Sequence, residues 1–318
     1  METRLGSKRL GSRCALVFVS LVLGGQVRAD PLPGEAVLKF QQLPLGGADA
    51  VFLGHDETST AFATRDAETQ EPTGWQGTFM ADDFADGSGS PIVHVGWWGS
   101  YAADFTGNRV QEFLISFESD VPAGDGGASH PGDVLSSQIV RRGPLAPGSG
   151  TFTEGPPTGS LYHYNAELNF GQSFPEQPDT VYWLKIVALV DTQRDGSISW
   201  GWHDRDWSIP DALASTAPAV TPGEGVVGSL APGVDVHHFQ DDAVSGSISI
   251  APGLGLQQSD FTPTRYLDGL DGPAGIEQFS KDLAFELYTV PEPGSGPLLA
   301  LGVAALGAAS RQRRRLPR

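Results

Sequence analysis

VYWLKIVALV (Val181–Val190) decides the fold. The run is apolar almost without a break and rich in β-branched and aromatic residues. A strand that is apolar on both sides is buried on both faces, so this segment sits centrally between two layers. A turn signal at Arg194-Asp195-Gly196 follows it, and then SISWGW (Ser197–Trp202), a second short strand.

Further strands spread outward from this centre. VQEFLISFES (Val110–Ser119) alternates, with Phe113, Ile115 and Phe117 on one side. PIVHVGWWGSY (Pro91–Tyr101) sets Ile92, His94 and Gly96 against Val93, Val95 and Trp97. AVLKF (Ala36–Phe40), GTFMADDF (Gly77–Phe84) and HYNAELNF (His163–Phe170) add three more. DLAFELYT (Asp282–Thr289) closes the set, with Leu283, Phe285 and Leu287 inward and Glu286 outward. The chain has 41 glycines and 24 prolines, and no long window shows helical periodicity. Short apolar strands between such punctuation marks indicate an all-β chain, an antiparallel β-sandwich of jelly-roll type. Asp120–Leu135 and Arg141–Ser160 read as surface loops, and residues 216–235 as a candidate insertion.

Both ends differ from this middle. Residues 1–29 hold a basic start, an apolar run from Cys14 to Gly25, and small residues Val27 and Ala29. That order is a secretory signal peptide, a short helix cut between Ala29 and Asp30. The only cysteine, Cys14, leaves with it. Ten of the 20 Lys and Arg lie within residues 1–29 and 311–318, while 37 of the 38 acidic residues lie between Asp30 and Pro293. The middle, taken from Asp30 to Pro293 and holding the domain of residues 30–289, is therefore close to −27, a surface that repels nucleic acid and suits life outside the cell or cation binding.

Catalytic constellations are hard to find. There is no G-x-S-x-G and no H-E-x-x-H, and adjacent His237 and His238 point apart on a strand. Asp82-Asp83 and Asp241-Asp242 are paired carboxylates and candidate calcium ligands. DTQRDGSIS (Asp191–Ser199) matches three positions of a calcium loop but lacks its closing glutamate, so it reads as a turn. No cofactor is expected beyond a structural calcium ion. Trp97-Trp98 place one ring inward and one outward, and Trp200 and Trp202 share a side. Trp98 and Trp202 are the candidate sugar-stacking residues; filling the core is the other reading of them.

The tail is the most specific signal. VPEP (Val290–Pro293), an apolar run Pro297–Ser310 and RQRRRLPR follow in order. At 1.5 Å per residue the run makes a short hydrophobic helix of roughly 21 Å, less than a bilayer core of about 30 Å. It inserts only transiently, with Arg311, Arg313, Arg314 and Arg315 held on the cytoplasmic side. Residues 290–318 resemble the PEP-CTERM sorting signal of Gram-negative bacteria. That resemblance implies an exosortase as partner, with Pro291, Glu292 and Pro293 as its recognition motif. TFMADDF, VGWWGSY, FLISFESDVPAG, SHPGDVL, HHFQDDAV and DLAFELYT are in turn similar to blocks of an uncharacterised secreted domain found in such proteins. The expectation is a non-enzymatic protein exported by the Sec machinery through the inner membrane and periplasm. It is sorted to the cell surface or extracellular matrix, where it contacts exopolysaccharide. A carbohydrate-active enzyme using an acidic pair and a purely structural matrix protein are the alternatives.

Overall fold

The computed structural model describes residues 36–44, 56–85, 89–102, 107–122, 128–178, 180–205, 243–253, 255–264 and 281–290. Residues 1–29, residues 216–235, Asp241, Asp242 and the tail from Pro291 lie outside these residues. Within them the chain is almost entirely β. In order come β1 (Val37–Gln42), β2 (Asp56–Thr58), β3 (Thr60–Arg65), β4 (Pro72–Phe84), β5 (Ile92–Tyr101), β6 (Glu112–Val121) and β7 (His130–Arg142). There follow β8 (Thr151–Glu154), β9 (Tyr162–Glu167), β10 (Tyr182–Val190), a single helical turn α1 (Thr192–Asp195) and β11 (Trp200–His203). Last are β12 (Val244–Ala251), β13 (Gly255–Pro263) and β14 (Phe285–Thr289).

All fourteen strands join one sheet in the order β1-β14-β5-β9-β8-β7-β6-β10-β3-β4-β12-β13, with β11 pairing β5 and β2. The pairing is mixed. β10 runs parallel to β3 and β7 parallel to β8, which corrects the expectation of a purely antiparallel arrangement. Two stretches read as loops carry strands: β7 begins inside Asp120–Leu135, and β8 lies inside Arg141–Ser160. Their turn residues and their one-sided, weakly apolar strands conceal them.

β10 occupies the centre. It pairs with β6 along one edge, and with β4 and then β3 along the other. All nine residues are buried. Tyr182, Leu184, Ile186, Ala188 and Val190 enter a large core with Phe113, Ile115 and Phe117 of β6. Trp183, Val187 and Leu189 enter a smaller one with Ala61, Phe79, Val244 and Ile248. Burying each large apolar side chain stabilises the fold by about 1.5–3 kcal/mol, so a strand apolar on both sides is stable only here. The sheet also curls on itself: the Phe84 ring of β4 lies 6.0 Å from Phe40 of β1 and 6.3 Å from Phe285 of β14. The β1-β14-β5 end thus faces β4, β6 and β10 across the large core.

Candidate functional site

The acidic pair on β4 points both ways. Asp82 and Asp83 are both fully buried, and strand alternation sends them to opposite sides. Asp82 Oδ2 accepts from the Leu283 N–H at 2.7 Å, and Oδ1 from the Asp83 N–H at 3.1 Å. Burial pushes its carboxyl well above the usual range, and the neighbouring Asp282 adds to that; the Leu283 amide and Arg205 oppose it. Arg205 in turn pairs with Asp282 at 2.8 Å. Pointing to opposite sides, Asp82 and Asp83 do not face one ion or one sugar bond together, which corrects their reading as a shared calcium ligand set or a catalytic couple. Asp82 instead ties β4 to the segment leading into β14, and Arg205, paired with Asp282, stands close enough to act on its charge.

The DTQRDG stretch is α1. Asp191 caps it by accepting from the Gln193 N–H at 3.1 Å, and it pairs with Arg65. The pairing holds its carboxyl below the ordinary value. Gly196 ends the turn at φ +76°, a conformation that favours glycine. Among the described residues no group of three His, Cys, Asp or Glu side chains is placed to hold a metal ion.

The nominated tryptophans are also corrected. Trp202 is 0% exposed, and its Nε1 donates to the Ala284 carbonyl at 2.8 Å. Trp200 lies beside it in the large core, donating to the Tyr164 hydroxyl at 3.1 Å. Trp98 does point outward from the core while Trp97 points in, yet it is only 6% exposed. Leu43, Leu161 and Ala284 pack around it, and His163 stacks on its ring at 4.3 Å. A sugar-stacking platform needs a bare ring face, and neither residue offers one.

The outward side of β14, β5 and β9 is where polar chemistry collects. Cross-strand register places Tyr288, His94 and Glu167 in one row, Glu286, Gly96 and Asn165 in the next, and Trp98 beside His163 in a third. The residues between them, Val95, Trp97, Phe285, Leu287, Tyr164 and Ala166, all face the large core. His94 Nδ1 meets Glu167 Oε1 at 3.0 Å, and its Nε2 meets Asn165 Oδ1 at 3.1 Å. His163 Nε2 stands 3.6 Å from Glu286 Oε2, to which the Tyr288 hydroxyl donates at 2.6 Å. Gly96 lets the two side chains close over the strand: a Cβ there would come within 3.0 Å of Glu286 Oε2 and 3.2 Å of His163 Nε2.

A third histidine–carboxylate pair continues this side past Gly99. His203 Nδ1 of β11 meets Asp56 Oδ1 at 2.9 Å, and Ser100 Oγ donates to Asp56 Oδ2. The aspartate stands between the serine and the histidine. A hydrolytic triad needs the histidine between them, so this trio is not wired to activate Ser100. Three of the chain's seven histidines thus face carboxylates on one side of the sheet. None was singled out from sequence; the available signal was His94 alternating outward with Gly96 and Trp98.

Two family matches accompany this geometry. A PEP-CTERM protein-sorting motif spans residues 289–315, starting at the last residue of β14, and it marks an exported protein processed by an exosortase at the Gram-negative cell envelope or surface. No curated protein and no solved structure matches the chain. A family described as a domain of unknown function (DUF7901) matches residues 38–227, and β12 to β14 complete the same sheet beyond that match. That match covers more than half of the 318 residues, so the chain belongs to this family of uncharacterised β-rich domains.

Proposed function

We propose that residues 30–289 form a non-catalytic module that holds exopolysaccharide at the cell surface or in the extracellular matrix. The polar side of β14, β5 and β9 is its contact surface. The observation that carries this is the grid around Gly96: His163, Asn165, Glu286 and Tyr288 gather hydrogen-bonding groups of both kinds on one side of the sheet. Such a surface suits hydroxyl-rich ligands and asks little rearrangement of the protein. His163 keeps 37% of its side chain exposed, so the surface is reachable. The same reading takes the curled sheet as a sandwich. It takes residues 1–29 as a Sec signal cut after Ala29, and the tail as a transient membrane insert ahead of exosortase processing.

The test is co-sedimentation of the full-length protein with exopolysaccharide isolated from its host. His163→Ala combined with Asn165→Ala is expected to weaken sedimentation severalfold and leave the unfolding midpoint nearly unchanged. Sedimentation as strong as that of the unaltered protein sinks the assignment of this surface. Loss of fold together with loss of sedimentation favours a purely structural role for it.

A further inference from the structure

Cations are scarce in this domain, and they are not scattered. Of the ten Lys and Arg between Asp30 and Pro293, four gather where β6 begins and β7 ends: Arg109, Arg141, Arg142 and Arg194. Carboxylates bridge them in twos. Glu112 takes Arg141 Nε at 3.0 Å and lies 3.7 Å from an Arg194 terminal nitrogen. Glu154 takes an Arg142 terminal nitrogen at 3.0 Å and Arg109 Nε at 3.4 Å. Asp195 holds Arg194 through two contacts, at 2.6 and 2.8 Å.

The anions lie underneath and the cations on top. Glu112, Glu154 and Asp195 side chains are 13%, 6% and 2% exposed; Arg141 and Arg194 are 73% and 46% exposed. Arg109 lies over the rings of Tyr162 and Tyr101 at 4.6 and 5.1 Å, and Arg142 over Phe152 at 5.1 Å. An ordinary surface ion pair leaves both partners mobile in water and contributes little. Here the acid is fixed below, so the guanidinium is held in one orientation while part of its five-donor fork still faces outward. Pre-orientation of this kind lowers the entropic cost of recognising an anion.

We propose that this end of the sheet is a binding site for a carboxylate- or sulfate-bearing polysaccharide. It extends the exopolysaccharide reading above by naming the charge of the polymer, and it uses a separate set of residues. Arg141 and Arg142 are neighbours on one strand, so their side chains leave opposite faces of the sheet. The four guanidinium groups therefore wrap the end of the β6–β7 pair, which suits an extended chain with spaced charges better than one small ion. Double-stranded DNA carries a charge every ~1.7 Å of helix axis, far denser than this cluster can match.

The experiment measures binding of full-length protein, in non-ionic detergent, to polygalacturonate, dextran sulfate, neutral dextran and single-stranded DNA. Expected are binding to either acidic glycan in low salt, weakening as salt approaches about 200 mM, and none to neutral dextran. Arg141→Gln with Arg194→Gln should weaken it about tenfold or more. If that double variant has a lowered melting temperature, Arg141→Gln alone is compared. No binding to either acidic glycan, binding unaffected by these substitutions, or DNA bound as tightly as glycan each overturns the proposal. The reading for the β5 side is decided separately, by His163 and Asn165.

Discussion

Strands β10 and β5 are both buried along nearly their whole length, and both give one side to the large core. Their second sides differ. That of β10 enters the small apolar core with one charge, Lys185, whose Nζ meets Glu118 Oε1 at 2.8 Å and lies 4.0 Å from the Phe79 ring. Both partners are fully buried. That of β5 meets histidine–carboxylate pairs, in two of which one member reaches solvent: His163 in one, Asp56 in the other. Burial alone therefore does not separate a structural polar group from a working one. A sealed pair can only serve the fold, whereas a pair with one member at the surface can exchange its partner for a ligand.

The sharpest way to break this contrast is to remove one acid from the sealed pair. Burial pulls the Lys185 ammonium below its ordinary value, with Glu118 opposing that shift. Glu118→Ala leaves a cation buried without its counter-charge and should cost about 3–5 kcal/mol in urea unfolding. Lys185→Met combined with Glu118→Leu should recover most of that loss. His163→Ala on the β5 side should cost less than about 1 kcal/mol. Equal losses at Glu118 and His163 would erase the distinction between the two sides.

Sequence made β10 plain because a two-sided apolar run has one stable location. It also placed Phe113, Ile115, Phe117, Phe285 and Leu287 inward, as found. β7 and β8 were missed because strands with polar outer residues and glycine-rich flanks do not differ locally from loops; their identity comes from partners. The site was less legible still. Trp98 does face outward, but its cover of Leu43, Leu161, Ala284 and His163 comes from three distant stretches. Likewise His94, Glu167, Glu286 and Tyr288 become neighbours only through the β14-β5-β9 register. The arginine cluster draws on β7, α1 and the segment before β6, and no spacing announces it.

A second, smaller effect tests the end of β5, where Tyr101 stands. Its hydroxyl donates to Glu154 Oε2 at 2.5 Å and accepts from the Val110 N–H at 3.2 Å. Burial, with Glu154 adding to it, pushes the phenol up to about 12. The unfolded chain ionises near 10, so above that pH the unfolded state sheds a proton that the folded state keeps. Stability is then full below pH 10 and is lost as pH rises through about 12, by about 2–3 kcal/mol from this group. Tyr101→Phe should be less stable at neutral pH by about 1 kcal/mol yet flatten that alkaline slope. An unchanged slope would place the hydroxyl outside the folding balance of β5.

The smallest effect separates two glycines three residues apart on β5. A Cβ at Gly99 would fall 2.4 Å from the Gly201 carbonyl oxygen and 2.3 Å from the Trp200 ring, so backbone of β11 has to move. Gly99→Ala should therefore cost about 1–3 kcal/mol. At Gly96 the same methyl meets only the Glu286 carboxylate and the His163 ring, at 3.0 and 3.2 Å, and the ends of side chains can give way. Gly96→Ala should cost under about 1 kcal/mol while pushing His163 and Glu286 apart. Thermal unfolding and exopolysaccharide co-sedimentation, measured on both variants, then divide the strand. If Gly96→Ala loses sedimentation but keeps its fold, the second side of β5 is a contact surface. If it unfolds as readily as Gly99→Ala, that side is core in all but composition, and its histidines serve the sheet as Lys185 does.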